Sequence, residues 1–384
     1  MNRFLVWLTF AVRWACSELY SHSGPHVEGN RVWKDNTGKF SVEAEYVRTS
    51  GGKVYLQKPD TSVIAVTISR LSQADQNFIK RAQQPNSTKA SPQDHFQPFA
   101  GNVKTRTDQN DLLVESNGMP SHPMMVGITS WQQQVPLPQP YTGNNAWRIP
   151  LHPVPAQTPL SAKTNFFRGA IALAVNGVPI FNPIKNDGRT DTFLAGELDK
   201  WGGHCGRADD YHYHIAPVHL EEIVGAGQPI AYALDGYPIY GYLHPGTTGF
   251  APLDALNGHK DSTGNYHYYA TQTYPYLNGG FYGQVTEQNG QVDPQPRGQP
   301  VRPALPPLRG AFITGFSKPS PNHFQLEYQV QGSTKSLTYQ LHPDKSVTFQ
   351  FPDSNSQTYT PRSGKGERKG PKPPRPGKPP KRKP

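Results

Sequence analysis

The stretch "IALAVNGVPIF", from Ile171 to Phe181, returns as "IAYALDGYPIY", from Ile230 to Tyr240. Six of the eleven positions are identical, and each copy places Asn-Gly or Asp-Gly between two apolar runs. This dipeptide between apolar runs is the strongest short-range signal for a β-hairpin. The sequence therefore predicts two similar hairpins, with turns at Gly177 and Gly236.

A histidine-rich segment follows each hairpin and extends the repeat. His204 and His259 each follow a glycine, and "YHYH" or "YHYY" begins seven residues later. Residues 171–216 and 230–271 are therefore predicted to be duplicated β-units that share one core. Tyr269 stands where a histidine would complete the second copy, so the first copy is the better candidate for a metal site.

Alternation in "YHYH" separates its side chains onto two faces of a strand. His212 and His214 point to one face, and the tyrosines between them point to the other. The glycine-rich stretch before them can bring His204 or Cys205 close as a third ligand, and Asp209 and Asp210 can orient the imidazoles. Imidazole ligands are typical of transition metals such as zinc or copper. The candidate metal ligands are His204, Cys205, His212, His214, His259 and His267.

A structural alternative remains open for the same residues. Histidine and tyrosine side chains in this pattern can form a network of hydrogen bonds without a metal, and both copies would then contribute similarly to stability. The sequence contains no nucleophile elbow, phosphate-binding loop or dinucleotide-binding fingerprint. No catalytic residue is assigned, and a binding protein is expected before an enzyme. A hydrolase with an unrecognised site is a further alternative.

Residues 112–283 resemble the YHYH family, which is named for this motif. The resemblance rests on "ESNGMPSHP", "NNAWRIPLHPVP", "DDYHYHIAP", "YALDGYPIYGY" and "TYPYLNGGFYG". The family is largely uncharacterised, so the resemblance implies no particular activity. We assign residues 112–285 to this domain.

An alternating pattern also marks the region before it. In "KFSVEAEYV", apolar residues from Phe40 to Tyr46 alternate with polar ones, and "SVIAVTI" alternates again before "SQAD" opens a short helix. Such alternation predicts half-buried strands. Residues 29–80 resemble the Sla-type homology domain. The resemblance implies a small Src-homology-three-like barrel that binds short peptide motifs as part of an adaptor, with Trp33 and Lys39 among the candidate groove residues.

Proline-rich and polar stretches suggest how the rest of the chain is divided. Residues 81–111 and 286–310 are expected to be linkers. Residues 311–360 alternate in "HFQLEYQV" and "SVTFQF", which predicts an antiparallel β-module. The expected fold class is mainly β and multi-domain, with a small barrel, a duplicated YHYH domain and this module.

The amino-terminal segment has the features of a secretory signal. Arg3 precedes an apolar run from Phe4 to Val12, and small residues follow at Ala15 and Ser17. The run is too short to span a bilayer. We therefore predict a signal peptide at residues 1–17 and a mature chain without a transmembrane segment. Such a chain would be exported to the cell envelope, the periplasm or the exterior.

The net charge of +10 is concentrated at the carboxyl end. Residues 361–384 contain ten Lys or Arg and one Glu, so the remaining residues carry about +1. This proline-rich tail has no aromatic residue and is predicted to be disordered. We expect it to bind anionic polymers or surfaces through charge alone. Sequence-specific nucleic-acid recognition is not expected, because the tail has no means of reading base edges.

Overall fold

The chain divides into two compact units, one including Val32–Ser87 and the other including Thr88–Pro384. The expectation of a mainly β, multi-domain protein is confirmed. No helix of the described residues has the length and hydropathy needed to cross a bilayer. The predicted signal peptide at 1–17 and the basic tail from residue 362 lie outside the described residues. The computed structural model describes residues 31–60, 62–82, 91–225, 227–242, 252–261, 264–352 and 356–361.

The first unit is built on a four-stranded meander in the order β1-β2-β3-β4. Its apolar core includes Ala44, Leu56 and Phe78. Ser72 and Asp75 start the helix as a reciprocal cap, in which the Ser72 hydroxyl donates to the Asp75 carboxylate at 2.8 Å. The elements are β1 (Arg31–Lys34), β2 (Ser41–Ser50), β3 (Lys53–Gln57), β4 (Val63–Thr67), a 3-10 turn (Ile68–Arg70) and α1 (Gln73–Ala82).

Three details of this unit differ from expectation. Over residues 31–60 and 62–82, β1 and β4 do not pair to close a barrel, and a single bridge joins Asp35 to Leu71. Phe40 precedes β2 instead of belonging to its buried face, and its side chain is 74% exposed. Trp33 is buried and donates its indole N–H to the carbonyl of Ala44, so it belongs to the core and not to a groove.

The second unit begins inside the segment expected to be a linker at 81–111. Its described part is ordered, and Phe96 and Val103 are buried in the main core. These two apolar side chains anchor a stretch whose polar, proline-containing composition suggested a linker. The elements here are a 3-10 helix (Pro92–Phe99), β5 (Lys104–Asp108), β6 (Asp111–Glu115), a 3-10 turn (Gly143–Asn145), β7 (Trp147–Pro150) and β8 (Pro155–Ser161).

An eight-stranded sheet forms the centre of the second unit. Its strand order is β11-β12-β10-β9-β13-β14-β16-β15. From the middle of the sheet to each edge, the two copies of the repeat place their equivalent strands in the same order. Beside it lie a 3-10 turn (Val218–Leu220) and α2 (Glu221–Val224). The strands are β9 (Ala170–Ala174), β10 (Pro179–Phe181), β11 (Gly203–Cys205), β12 (Tyr211–Tyr213), β13 (Ala231–Ala233), β14 (Pro238–Tyr242), β15 (Gly258–Lys260) and β16 (Tyr266–Ala270).

The two copies meet where β9 pairs antiparallel with β13, with Leu173 opposite Tyr232. These two residues occupy the same position in the repeat, so the pseudo-symmetry axis passes between them. Every residue of both strands is buried, which explains why the strands read as continuous apolar runs. In the first copy, β10 of the hairpin pairs parallel with β12, which pairs antiparallel with the outer strand β11. In the second copy, β14 pairs parallel with β16, which pairs antiparallel with the outer strand β15.

The antiparallel β-module expected at 311–360 is present as a five-stranded antiparallel sheet, and it packs against the same core as the central sheet. Tyr339 donates a hydrogen bond to the carbonyl of Pro136 at 2.7 Å, and Tyr328 packs against Trp131. The strands here are β17 (Gly280–Gly283), β18 (Glu287–Gln288), β19 (Gln291–Val292), β20 (Phe312–Ser320), β21 (His323–Val330), β22 (Ser333–Leu341), β23 (Val347–Gln350) and β24 (Gln357–Tyr359).

The proline-rich segment at 286–310 is likewise not a free linker. Arg302 is buried and forms a bidentate ion pair with the buried carboxylate of Asp209, with N···O distances of 2.9 and 2.8 Å. The guanidinium also lies over the ring of Phe349 at 4.6 Å. This ion pair ties the segment to the loop between the two strands that carry the histidines.

Replacing Arg302 by methionine should therefore destabilise the second unit. The change leaves the Asp209 carboxylate buried without its charged partner, which costs about 3–5 kcal/mol of unfolding free energy. Urea denaturation followed by tryptophan fluorescence measures this loss. Arg309→Met is the matched control and should stay within about 0.5 kcal/mol of wild type. Equal stability of the two variants would show that residues 286–310 behave as a linker.

Candidate functional site

Three histidines converge at one edge of the central sheet. His204 of β11 pairs directly with His212 of β12, and His214 lies two positions beyond His212 on the same face. The Nε2 atoms of His212 and His214 are 3.1 Å apart, and those of His214 and His204 are 3.0 Å apart. One nitrogen from each ring lies within 4.8 Å of the others. The alternation in "YHYH" thus brings its two histidines together, and the strand register adds the third.

A backbone carbonyl faces the outer nitrogen of each ring. His212 Nδ1 donates to the carbonyl of Asp210 at 2.9 Å, and His214 Nδ1 donates to that of Asn182 at 2.7 Å. The carbonyl of Glu197 accepts a hydrogen bond from His204. Because a carbonyl only accepts, the Nδ1 atoms of His212 and His214 must carry a proton, and a neutral ring in this tautomer presents a lone pair at Nε2.

Burial keeps the rings of His204 and His214 neutral. Removal from water is the main reason that the pKa values of His204 and His214 lie well below the ordinary value, and the neighbouring imidazoles lower them further. The Nε2 atoms of His204 and His212 each lie close to that of His214. In a tetrahedral zinc site with bonds of about 2.0–2.1 Å, ligand nitrogens lie roughly 3.3 Å apart. The two Nε2 separations of 3.0 and 3.1 Å are close to that spacing, and one nitrogen of every ring lies within 4.8 Å of the others.

The histidine cluster lines a cleft of about 320 Å³. Phe181 stacks on the ring of His212 with the centroids 4.0 Å apart, which covers one side of the cluster. The other lining residues include Lys185, whose ammonium group pairs with the buried carboxylate of Glu197 at 2.8 Å. A metal held by the three nitrogens would therefore retain a coordination position that a ligand can reach.

The tyrosines of the motif point the other way and fix the strands. Tyr211 donates its hydroxyl to the carboxylate of Asp199 at 2.8 Å. The same carboxylate accepts the backbone N–H groups of Trp201 and Gly203, and burial raises the pKa of Asp199 to about 6. Asp199 thus shapes the turn that delivers His204. Sequence reasoning missed it, although Asp254 holds the corresponding place five residues before His259.

Cys205 is not part of the cluster. It follows His204 on the short strand β11, is buried, and is not among the three residues that come together. Burial, aided by the nearby Asp209, raises the pKa of its thiol well above the usual range. Of the two residues expected as a third ligand, the structure brings His204 to the other histidines and not Cys205, and the role of His204 as a ligand stays a prediction. Asp210 orients His212 through its carbonyl, whereas Asp209 pairs with Arg302.

The second copy reproduces the arrangement with one substitution. His259 pairs with His267 across β15 and β16, and their Nε2 atoms are 3.1 Å apart. His267 Nδ1 donates to the carbonyl of Asn265 at 3.3 Å. Tyr269 takes the place of His214, with its ring centroid 5.2 Å from that of His267. The structure therefore brings these two histidines together but offers no third imidazole in the described residues around them.

Comparison with known proteins identifies both parts of the chain. Residues 21–86 match the family model for SLA1 homology domain 1, and residues 146–248 match the model for the YHYH protein family. The second match includes His204, His212 and His214 but ends before His259. Both resemblances seen in the sequence are confirmed, in the same order along the chain.

Two curated relatives align with a short part of the chain. The actin cytoskeleton-regulatory complex protein SLA1 of Mycosarcoma maydis is 40% identical over 60 residues, and that of Candida albicans is 37% identical over 59 residues. The alignments cover 16% and 15% of this chain, and 5% of each relative. The chain thus contains a segment that matches SLA1 homology domain 1, followed by one that matches the YHYH protein family, and the histidine cluster lies in the second segment.

Proposed function

We propose that the YHYH domain binds one transition metal ion, zinc, through the Nε2 atoms of His204, His212 and His214. The observation that carries the proposal is the close approach of three Nε2 atoms, with separations of 3.1 and 3.0 Å, while carbonyls accept from the Nδ1 atoms of His212 and His214. Two Nε2 lone pairs that face each other repel unless a cation lies between them, whereas a structural network would place a proton between neighbouring nitrogens. Carbonyl partners of this kind are the usual second layer around metal-bound histidines.

The donor set favours zinc over the alternatives. Three nitrogen donors with an accessible fourth position are typical of catalytic and ligand-binding zinc sites. Copper also accepts imidazole and is the second choice. Because Cys205 is not in the cluster, the donor set contains no thiolate and does not favour the soft metals that thiolates bind. The metal would supply Lewis acidity at the cleft, while the chain itself orients the three rings and excludes water from their outer side.

Purified protein should contain about one zinc ion per chain, measured by elemental analysis after dialysis. His204→Ala, His212→Ala and His214→Ala should each abolish stoichiometric binding, because two imidazoles bind zinc much more weakly than three. Chelation should lower the melting temperature of wild type and leave that of the His214→Ala variant unchanged. His267→Ala should retain the metal. If wild type contains no metal, and His214→Ala and His267→Ala lower the free energy of unfolding equally, the structural network would be favoured.

The repeat provides a matched pair of exchanges for the same experiment. His214→Tyr converts the first copy into the residue set of the second and should remove the zinc. Tyr269→His converts the second copy into the residue set of the first and should raise the content towards two ions per chain. A Tyr269→His protein that folds but stays at one ion would show that the three histidines alone do not define the site.

A second candidate function, protein binding, concerns the SLA1 homology domain. The family match supports it, and so do the exposed apolar side chains Phe40 and Val63, which are 74% and 55% exposed. We propose that this domain binds a short peptide. The proposed export of the chain would place such a partner outside the cytoplasm.

Panning the full chain against a library of random short peptides should enrich a motif, and Phe40→Ser should abolish the enrichment because it removes exposed apolar contact area. Phe312→Ser is the matched control, since Phe312 is an exposed phenylalanine of the other unit. No enrichment with wild type, or equal loss in both variants, would argue against a peptide-binding surface at Phe40.

A further inference from the structure

Charged side chains other than the three histidines also line the cleft beside the histidine cluster. Arg168 and Arg207 both line it, and both side chains are exposed. Lys185 and Glu197 lie there as well and neutralise each other through contacts of 2.8 and 3.1 Å. Glu197 is the only acidic residue among the described residues that line the cleft.

The charges of the lining therefore do not cancel. Neutral imidazoles contribute nothing, and the Lys185–Glu197 pair contributes nothing in sum. Within the part of the chain that the structure describes, neither Arg168 nor Arg207 has a carboxylate partner. Two guanidinium groups beside a divalent metal would give the cleft a strongly positive potential. Positive clefts attract anions, and guanidinium groups match the geometry of phosphate and carboxylate oxygens.

Gln134 adds a neutral hydrogen-bonding group to the cleft. The residue is 8% exposed and lines the cleft. The Gln134 carbonyl accepts the indole N–H of Trp131 at 2.8 Å, which holds the backbone in place. Its side-chain amide makes no hydrogen bond to any described residue of the chain. The amide atoms are not fully buried, so the amide opens into the cleft and can donate to a molecule there.

We propose that the cleft binds a small anion with a phosphate-like group, held by Arg168, Arg207 and Gln134 and completing the coordination of the metal. This inference rests on the proposed metal site, because the anion takes the position that the three histidines leave open. The volume of about 320 Å³ suits a small molecule and not a polymer. The cleft is thus a ligand site, whereas the metal alone would need only the histidines.

Cobalt-substituted protein and inorganic phosphate provide the test. Visible absorption reports directly on the ligands of cobalt, so phosphate should change the spectrum with saturable binding. The double variant Arg168→Ala/Arg207→Ala should keep one cobalt per chain and weaken phosphate binding at least tenfold. Gln134→Leu should also weaken phosphate binding while keeping the cobalt. The control Arg297→Ala/Arg309→Ala makes the same change in charge away from the cleft and should bind phosphate as wild type does.

The outcomes separate this inference from the proposed function. A folded protein that binds no cobalt would overturn both. Stoichiometric cobalt with a spectrum that phosphate does not alter would overturn the anion site alone and leave the metal site standing. A phosphate effect equal in the Arg168→Ala/Arg207→Ala variant and its control would show that the metal, not the cleft, binds the anion, and would also overturn the inference.

Discussion

Fixing the tautomer of two buried histidines, His212 and His214, is the constraint on which the rest of the site depends. A carbonyl that accepts from Nδ1 leaves Nε2 unprotonated, and this holds for His212 and His214 at 2.9 and 2.7 Å. Burial then removes the option of charging the rings, as the lowered pKa values of His204 and His214 show. Close Nε2 contacts without a proton are tolerable only around a cation. The local chemistry therefore explains why a metal is proposed at this edge of the sheet.

The scaffold exists twice, but a cluster of three histidines exists once among the described residues. Asp199 and Asp254 each accept a tyrosine hydroxyl and a glycine N–H in the same way, so both copies set their first two histidines opposite each other on paired strands. Tyr269 in place of His214 then changes the donor set without changing the backbone register. The first copy thus brings three imidazoles together, while the second keeps the same framework around two histidines.

Local periodicity predicted those parts of the site that depend on a single strand. The shared face of His212 and His214 follows from a period of two, and the hairpins at Gly177 and Gly236 follow from their turn dipeptides. The choice between His204 and Cys205 did not follow, because it depends on the register between β11 and β12. Neither did Gln134, Glu197 or Arg168, which reach the cleft from distant parts of the chain. The composition of residues 81–111 predicted a linker because it contains few apolar residues. Two of these, Phe96 and Val103, are nevertheless buried in the core.

X-ray absorption spectroscopy of the metal-loaded full chain tests the central claim most directly. Our account predicts a zinc edge whose fine structure fits three imidazole nitrogens and one further light atom at about 2.0–2.1 Å, with no sulfur in the first coordination shell. The His214→Tyr variant should lack this signal. A sulfur scatterer at about 2.3 Å would instead place Cys205 on the metal. Fewer than three imidazoles, or no bound zinc in correctly folded protein, would contradict the three-histidine site.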